Sequence, residues 1–102
     1  MYQTTTKHYR KYIFMYGILS ILYVLKYYEE LENYEECNKI IESIKEQEAK
    51  LNITLYTTIS NELIDELMMI LGDTTMSKKE VINHNKYYST LIINEIENTL
   101  IV

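Results

Sequence analysis

The chain has 102 residues, of which 10 are basic and 15 acidic, giving a net charge of −5, with 47% hydrophobic residues, two glycines and no proline. That length bounds it to one domain, residues 1–102, with a single modest core, and the apolar fraction excludes an intrinsically disordered chain. A lone cysteine, Cys37, excludes an internal disulfide and fits a reducing compartment, so a cytoplasmic location is expected.

The first helix is expected to start after Thr4-Thr5-Thr6, where a hydroxyl can cap the free amides, and to run to about Glu32. Its centre, residues 12–25 (YIFMYGILSILYVL), holds no charge. That run is shorter than the roughly 20 apolar residues a membrane-spanning helix needs, so a buried helix at the middle of a bundle is the favoured assignment. If Lys26 snorkels, the apolar stretch extends to residue 28, and a single-pass membrane anchor using residues 12–28 is the alternative. A cleaved signal peptide is disfavoured, because KYYEEL and not a small-x-small pattern follows the run. Gly17 inside the helix costs about 1 kcal/mol relative to Ala and marks a close contact or a bend.

The second helix is expected to begin near Asn33 or Tyr34. Tyr34, Cys37, Ile41 and Ile44 recur at steps of three and four, Ile40 widens the stripe, and most other positions are charged or polar. The spacing predicts that Tyr34, Cys37, Ile41 and Ile44 form a buried seam while Glu35, Glu36, Glu42 and Glu46 stay in water. Glu32, Asn33, Tyr34, Glu35, Cys37, Ile40, Glu42 and Ile44 together resemble the UVR motif, the short helical hairpin of bacterial excision-repair subunits, over residues ~26–50. Cys37 stands at the first of the family's paired small positions, Asn38 replaces the second, and Ile41 stands where the family typically has Arg. The resemblance implies a hairpin that docks on another helical pair, often by self-association, and does not imply DNA repair.

Residues 53–59 (ITLYTTI) are β-branched and roughly alternating. They read as an extended linker in preference to a short strand, since no second strand is evident to pair with them. A third helix is expected over Ser60–Leu71, with Ser60 as N-cap, Gly72 just past its end, and Ile59, Leu63, Ile64, Leu67, Met68 and Leu71 inward. Ser77-Lys78-Lys79-Glu80 is a capping box that opens a fourth helix, inward through Val81, Tyr88, Leu91, Ile92, Ile96 and Leu100. The expected fold is therefore all-α, a small antiparallel helical bundle of about four helices, with a helical hairpin at residues 7–51.

Charge is unevenly distributed along these elements: residues 1–28 carry +4, residues 29–51 carry −5 and residues 52–102 carry −4. The acidic body opposes general nucleic-acid affinity, which needs a cationic surface. His8, His84 and Cys37 lack the local spacing of a zinc site, and no Glu-x-x-His pairs or Gly-rich loop are present, so no metal, cofactor, small-molecule substrate or catalytic group is expected. Glutamates beside Cys37 raise a thiol pKa, which opposes a nucleophilic role.

The surface expected to bind another protein comprises Tyr9, Arg10, Tyr12 and Tyr16 on the first helix and the acidic cluster Glu29, Glu30, Glu32, Glu35 and Glu36. Tyrosine supplies contact area with a polar tip, and an acidic patch can dock on a basic surface. The chain contains 15 Ile, 11 Tyr, 9 Lys and 8 Asn against one Ala and one Arg, a usage that AT-rich codons favour. The sequence thus points to a non-enzymatic protein that works by binding a host protein or itself. In its sharper form this is a phage or mobile-element accessory that inhibits a host defence or nucleic-acid enzyme; a homodimeric structural protein is an alternative.

Overall fold

The computed structural model describes residues 4–51, 59–71 and 75–101, so nearly all of the expected linker at 53–59 lies outside the described residues. The described residues form five helices: α1 (Thr6–Tyr16), α2 (Ile18–Glu30), α3 (Tyr34–Leu51), α4 (Asn61–Leu71) and α5 (Lys78–Ile101). No strand occurs among the described residues.

The expected first helix is two helices. Gly17 separates them at φ 97°, ψ 167°, a conformation only glycine adopts without strain. Its amide donates to Ile13 O at 2.8 Å, closing α1, and Ser20 Oγ donates back to Gly17 O at 2.7 Å, opening α2. A straight helix would hold Tyr9 and Tyr28 about 28 Å apart, yet the two rings are close enough for each hydroxyl to feel the same Glu36 carboxylate. The chain therefore doubles back at Gly17, and the hairpin expected over residues 7–51 is a three-helix unit. No described helix is long and apolar enough to cross a membrane, since the turn at Gly17 divides the uncharged run.

Local signals set the other helix ends. After α2 the chain forms a Schellman turn: Asn33 N donates to Tyr28 O at 2.9 Å and Glu32 N to Glu29 O at 3.0 Å, with Glu32 at φ 57°. Asn33 then caps α3, its Oδ1 accepting from Glu36 N at 3.3 Å. Ser60 Oγ accepts from Leu63 N at 3.1 Å to start α4, and Ser77 Oγ accepts from Glu80 N at 3.2 Å to start α5. The Thr5 amide donates to His8 Nδ1 at 3.0 Å at the start of α1, which requires that nitrogen to be unprotonated.

Helix α2 is the centre of the molecule. Leu19, Ser20, Ile21, Leu22, Val24, Leu25 and Tyr28 are all buried, so it is covered on nearly every side. It shares one core with Tyr9, Tyr12 and Ile13 of α1, Cys37, Ile40 and Ile44 of α3, Leu63, Ile64 and Leu67 of α4, and Ile92 and Ile96 of α5. Helix α3 runs antiparallel to α2 through the three-residue turn, while α1 runs parallel to α3, its contacts advancing from Thr4–Glu36 to Arg10–Glu46. Helix α5 follows α2 in the same direction: Tyr16 stacks near Tyr88 at 5.5 Å, and Tyr27 Oη donates to Glu97 Oε1 at 2.5 Å. Asp65 and Lys78, 2.9 Å apart, tie α4 to the start of α5.

The seam on α3 is rotated from its expected position. Cys37, Ile40 and Ile44 are buried and Ile41 is half-buried, but Tyr34 is 64% exposed and Glu36 only 7%. The reason is that α3 faces two helices, α1 as well as α2. Its inward arc centres on Ile40; Glu36 lies about 40° from that centre and Tyr34 about 120°. On α5, Leu91 is likewise exposed, whereas Ser89 is buried.

Candidate functional site

The two ends of the α1–α3 seam differ in character. At the start of α3, four polar side chains meet inside the protein. Thr4 Oγ1 donates to Glu36 Oε1 and Oε2 at 2.6 and 2.5 Å, Tyr9 Oη donates to Oε2, and Lys39 Nζ donates to Oε1 at 3.1 Å. Burial pushes the Glu36 carboxyl upward, but the hydrogen bonds from Thr4, Tyr9 and Lys39 outweigh it and hold the group below its ordinary value. Burial and the adjacent carboxylate push the Tyr9 phenol strongly upward, so it serves only as a neutral donor. Tyr28 lies beside this group with its hydroxyl buried and without a hydrogen-bond partner among the described residues. Burial, then Glu36 and Glu97, push its phenol upward too.

At the far end, α1 and α3 leave an open groove of about 520 Å³ lined by Lys7, Arg10, Lys11 and Phe14 of α1 and by Gln47 and Lys50 of α3. Positions 7, 10, 11 and 14 follow i, i+3, i+4, i+7 spacing and so share one helical face. Phe14 is 92% exposed, an aromatic ring left in water beside four cations. Arg10 is held by Glu46, with Nε to Oε2 at 2.9 Å and Nη2 to Oε1 at 3.2 Å. Lys7, Lys11 and Lys50 form no ion pair among the described residues. The groove therefore carries an uncompensated positive charge on an otherwise acidic protein. Such a surface recognises anionic groups and can cover an apolar side chain.

The residues expected to bind a protein are divided by the fold. Tyr9, Tyr12 and Glu36 are buried and belong to the core and to the polar group inside it. Arg10 lines the groove and is exposed, and Tyr16 is half-buried against Tyr88. Glu29, Glu30, Glu32 and Glu35 are exposed on and around the Schellman turn, together with Leu31 at 58% and Tyr34 at 64%. Sequence reasoning did not single out Phe14, Gln47 and Lys50. The spacing of 7, 10, 11 and 14 is legible in the sequence, but Phe14 lies within an uncharged run whose composition points to the interior as a whole.

Cys37 is buried, and burial followed by Glu29 pushes its thiol upward. His84 is exposed on α5, its ring 6.3 Å from that of Tyr88. Among the described residues no group of three or more His, Cys, Asp or Glu side chains is placed to hold a metal ion. Compared with protein-family models, curated proteins and solved structures, the chain matches none.

Proposed function

We propose that this chain is a non-enzymatic helical protein that acts by binding another protein through the groove between α1 and α3. The observation that carries this reading is Phe14, 92% exposed at the edge of a groove lined by Lys7, Arg10, Lys11 and Lys50. A large exposed aromatic beside three lysines without ion pairs among the described residues is poorly placed in water and well placed under a partner with an anionic, partly apolar segment. The net charge of −5 favours a protein partner over nucleic acid, whose phosphates would be repelled by the rest of the surface. In the form of a phage or mobile-element accessory that inhibits a host enzyme, the acidic turn at Glu29, Glu30, Glu32 and Glu35 is the face suited to a cationic enzyme cleft.

A photo-crosslinking amino acid placed at position 14 tests the groove. The expected result is a discrete protein adduct that disappears when Lys11 and Lys50 are both changed to Glu, with no adduct from the same probe at position 79 on α5. Equal adducts at both positions, no protein adduct at position 14, or an adduct with nucleic acid would overturn the reading.

A further inference from the structure

The acidic turn between α2 and α3 is chemically the complement of the groove. It presents Glu29, Glu30, Glu32 and Glu35 to water, and among them Leu31 and Tyr34 are 58% and 64% exposed. The groove offers the matching set: Lys7, Lys11 and Lys50 without ion-pair partners among the described residues, and the exposed ring of Phe14.

The turn and the groove lie at opposite ends of α3. Tyr34 to Lys50 spans 16 residues, or about 24 Å of helix. One copy therefore cannot bring its own turn into its own groove, whereas a neighbouring copy can. The contact would set the exposed glutamates of one chain's turn against the lysines of another's groove and so relieve the repulsion that opposes most contacts between copies of a protein of net charge −5.

Resting on the reading of the groove as a protein-docking site, we propose that its occupant is the acidic turn of a second copy of this chain. Leu31 and Tyr34 pack against Phe14, and the surrounding glutamates pair with Lys7, Lys11 and Lys50. Because turn and groove are different surfaces, the contact is heterologous, and a pair joined by one such contact leaves one turn and one groove free. Assembly grows with concentration and weakens as salt screens the charges.

Sedimentation velocity of the purified full chain tests this with two charge-reversed variants. Lys11→Glu with Lys50→Glu removes the groove and keeps the turn. Glu30→Lys with Glu32→Lys removes the turn and keeps the groove. All substituted side chains are exposed, and unchanged helical circular dichroism and melting temperature establish that each variant folds. The wild type is expected to sediment as a concentration-dependent series in low salt that collapses to the monomer in molar salt. Each variant alone stays monomeric, and an equimolar mixture assembles again, since the intact turn of one variant meets the intact groove of the other and the two reversed surfaces are opposite in charge as well.

A wild type that stays monomeric at every concentration in low salt overturns the proposal. So does a dimer that survives reversal of the turn, or a mixture that stays monomeric. A monomeric wild type whose position-14 adduct is with a different protein leaves the groove reading standing and removes only the second copy as occupant. With no adduct at all, both fail.

Discussion

The two ends of the α1–α3 seam show how the same residue types serve opposite purposes. At one end Glu36 is buried, and its charge is matched by Thr4, Tyr9 and Lys39. At the other, Lys7, Lys11 and Lys50 remain in water around a groove that nothing in the described chain fills. A charge taken out of water must be met by donors in good geometry, so the inner end is fixed and contributes to holding α1 on α3. An exposed charge contributes little to stability and stays free to meet a partner. Glu35 and Glu36 make the point within one step of the chain: Glu35 is exposed, with Lys39 at 3.8 Å, while Glu36 is enclosed.

The largest expected effect comes from breaking the seam that both ends share. Ile44 is fully buried, and Ile44→Ala should lower unfolding stability by about 2–5 kcal/mol, read from the denaturant midpoint. A mild result would show that α3 is held by its ends alone. Next, Glu36→Gln acts on the inner end only. It removes the charge from three hydrogen bonds, and a loss of roughly 1.5–3 kcal/mol at neutral pH is expected.

The same substitution sharpens the pH dependence. The Glu36 carboxyl is held below its ordinary value of 4.5, so its contribution is complete above that pH and is lost as the pH falls through the lower folded-state pKa. Melting temperature should drop more steeply below about pH 4.5 in the wild type than in Glu36→Gln. Parallel curves would show that Glu36 does not sense folding.

A smaller effect of opposite sign is expected at Tyr28, whose buried hydroxyl has no partner among the described residues. Tyr28→Phe should leave stability unchanged or raise it by about 1 kcal/mol, since an unsatisfied buried hydroxyl is a cost that Phe does not carry. A clear loss would show that the hydroxyl is satisfied. The smallest effect belongs to the open end: Lys11→Glu should shift stability by no more than about 0.5 kcal/mol in thermal unfolding of dilute protein. A larger shift would make the groove part of the fold and not a free binding surface.

The sequence by itself determined that the chain is helical and where most of its helices begin. Asn33, Ser60 and Ser77 open α3, α4 and α5 because a capping side chain acts on amides two or three residues away and needs nothing from the rest of the molecule. It also determined that Cys37, Ile40, Ile44, Leu63, Ile64, Leu67, Ile92 and Ile96 lie inside, since apolar residues on one helical face have no better place to go. Only the tertiary structure decided the direction the chain takes after Gly17. A glycine permits a bend without specifying it; the packing of Tyr9, Tyr12 and Ile13 back onto α2 and α3 selects the reversal. That reversal gives α3 a second neighbour, which draws Glu36 inward, leaves Tyr34 in water, and brings Lys7, Lys11 and Phe14 alongside Gln47 and Lys50. Residues so far apart in the chain share a groove only because two helices pack in one relative register, and that register is a property of the whole core.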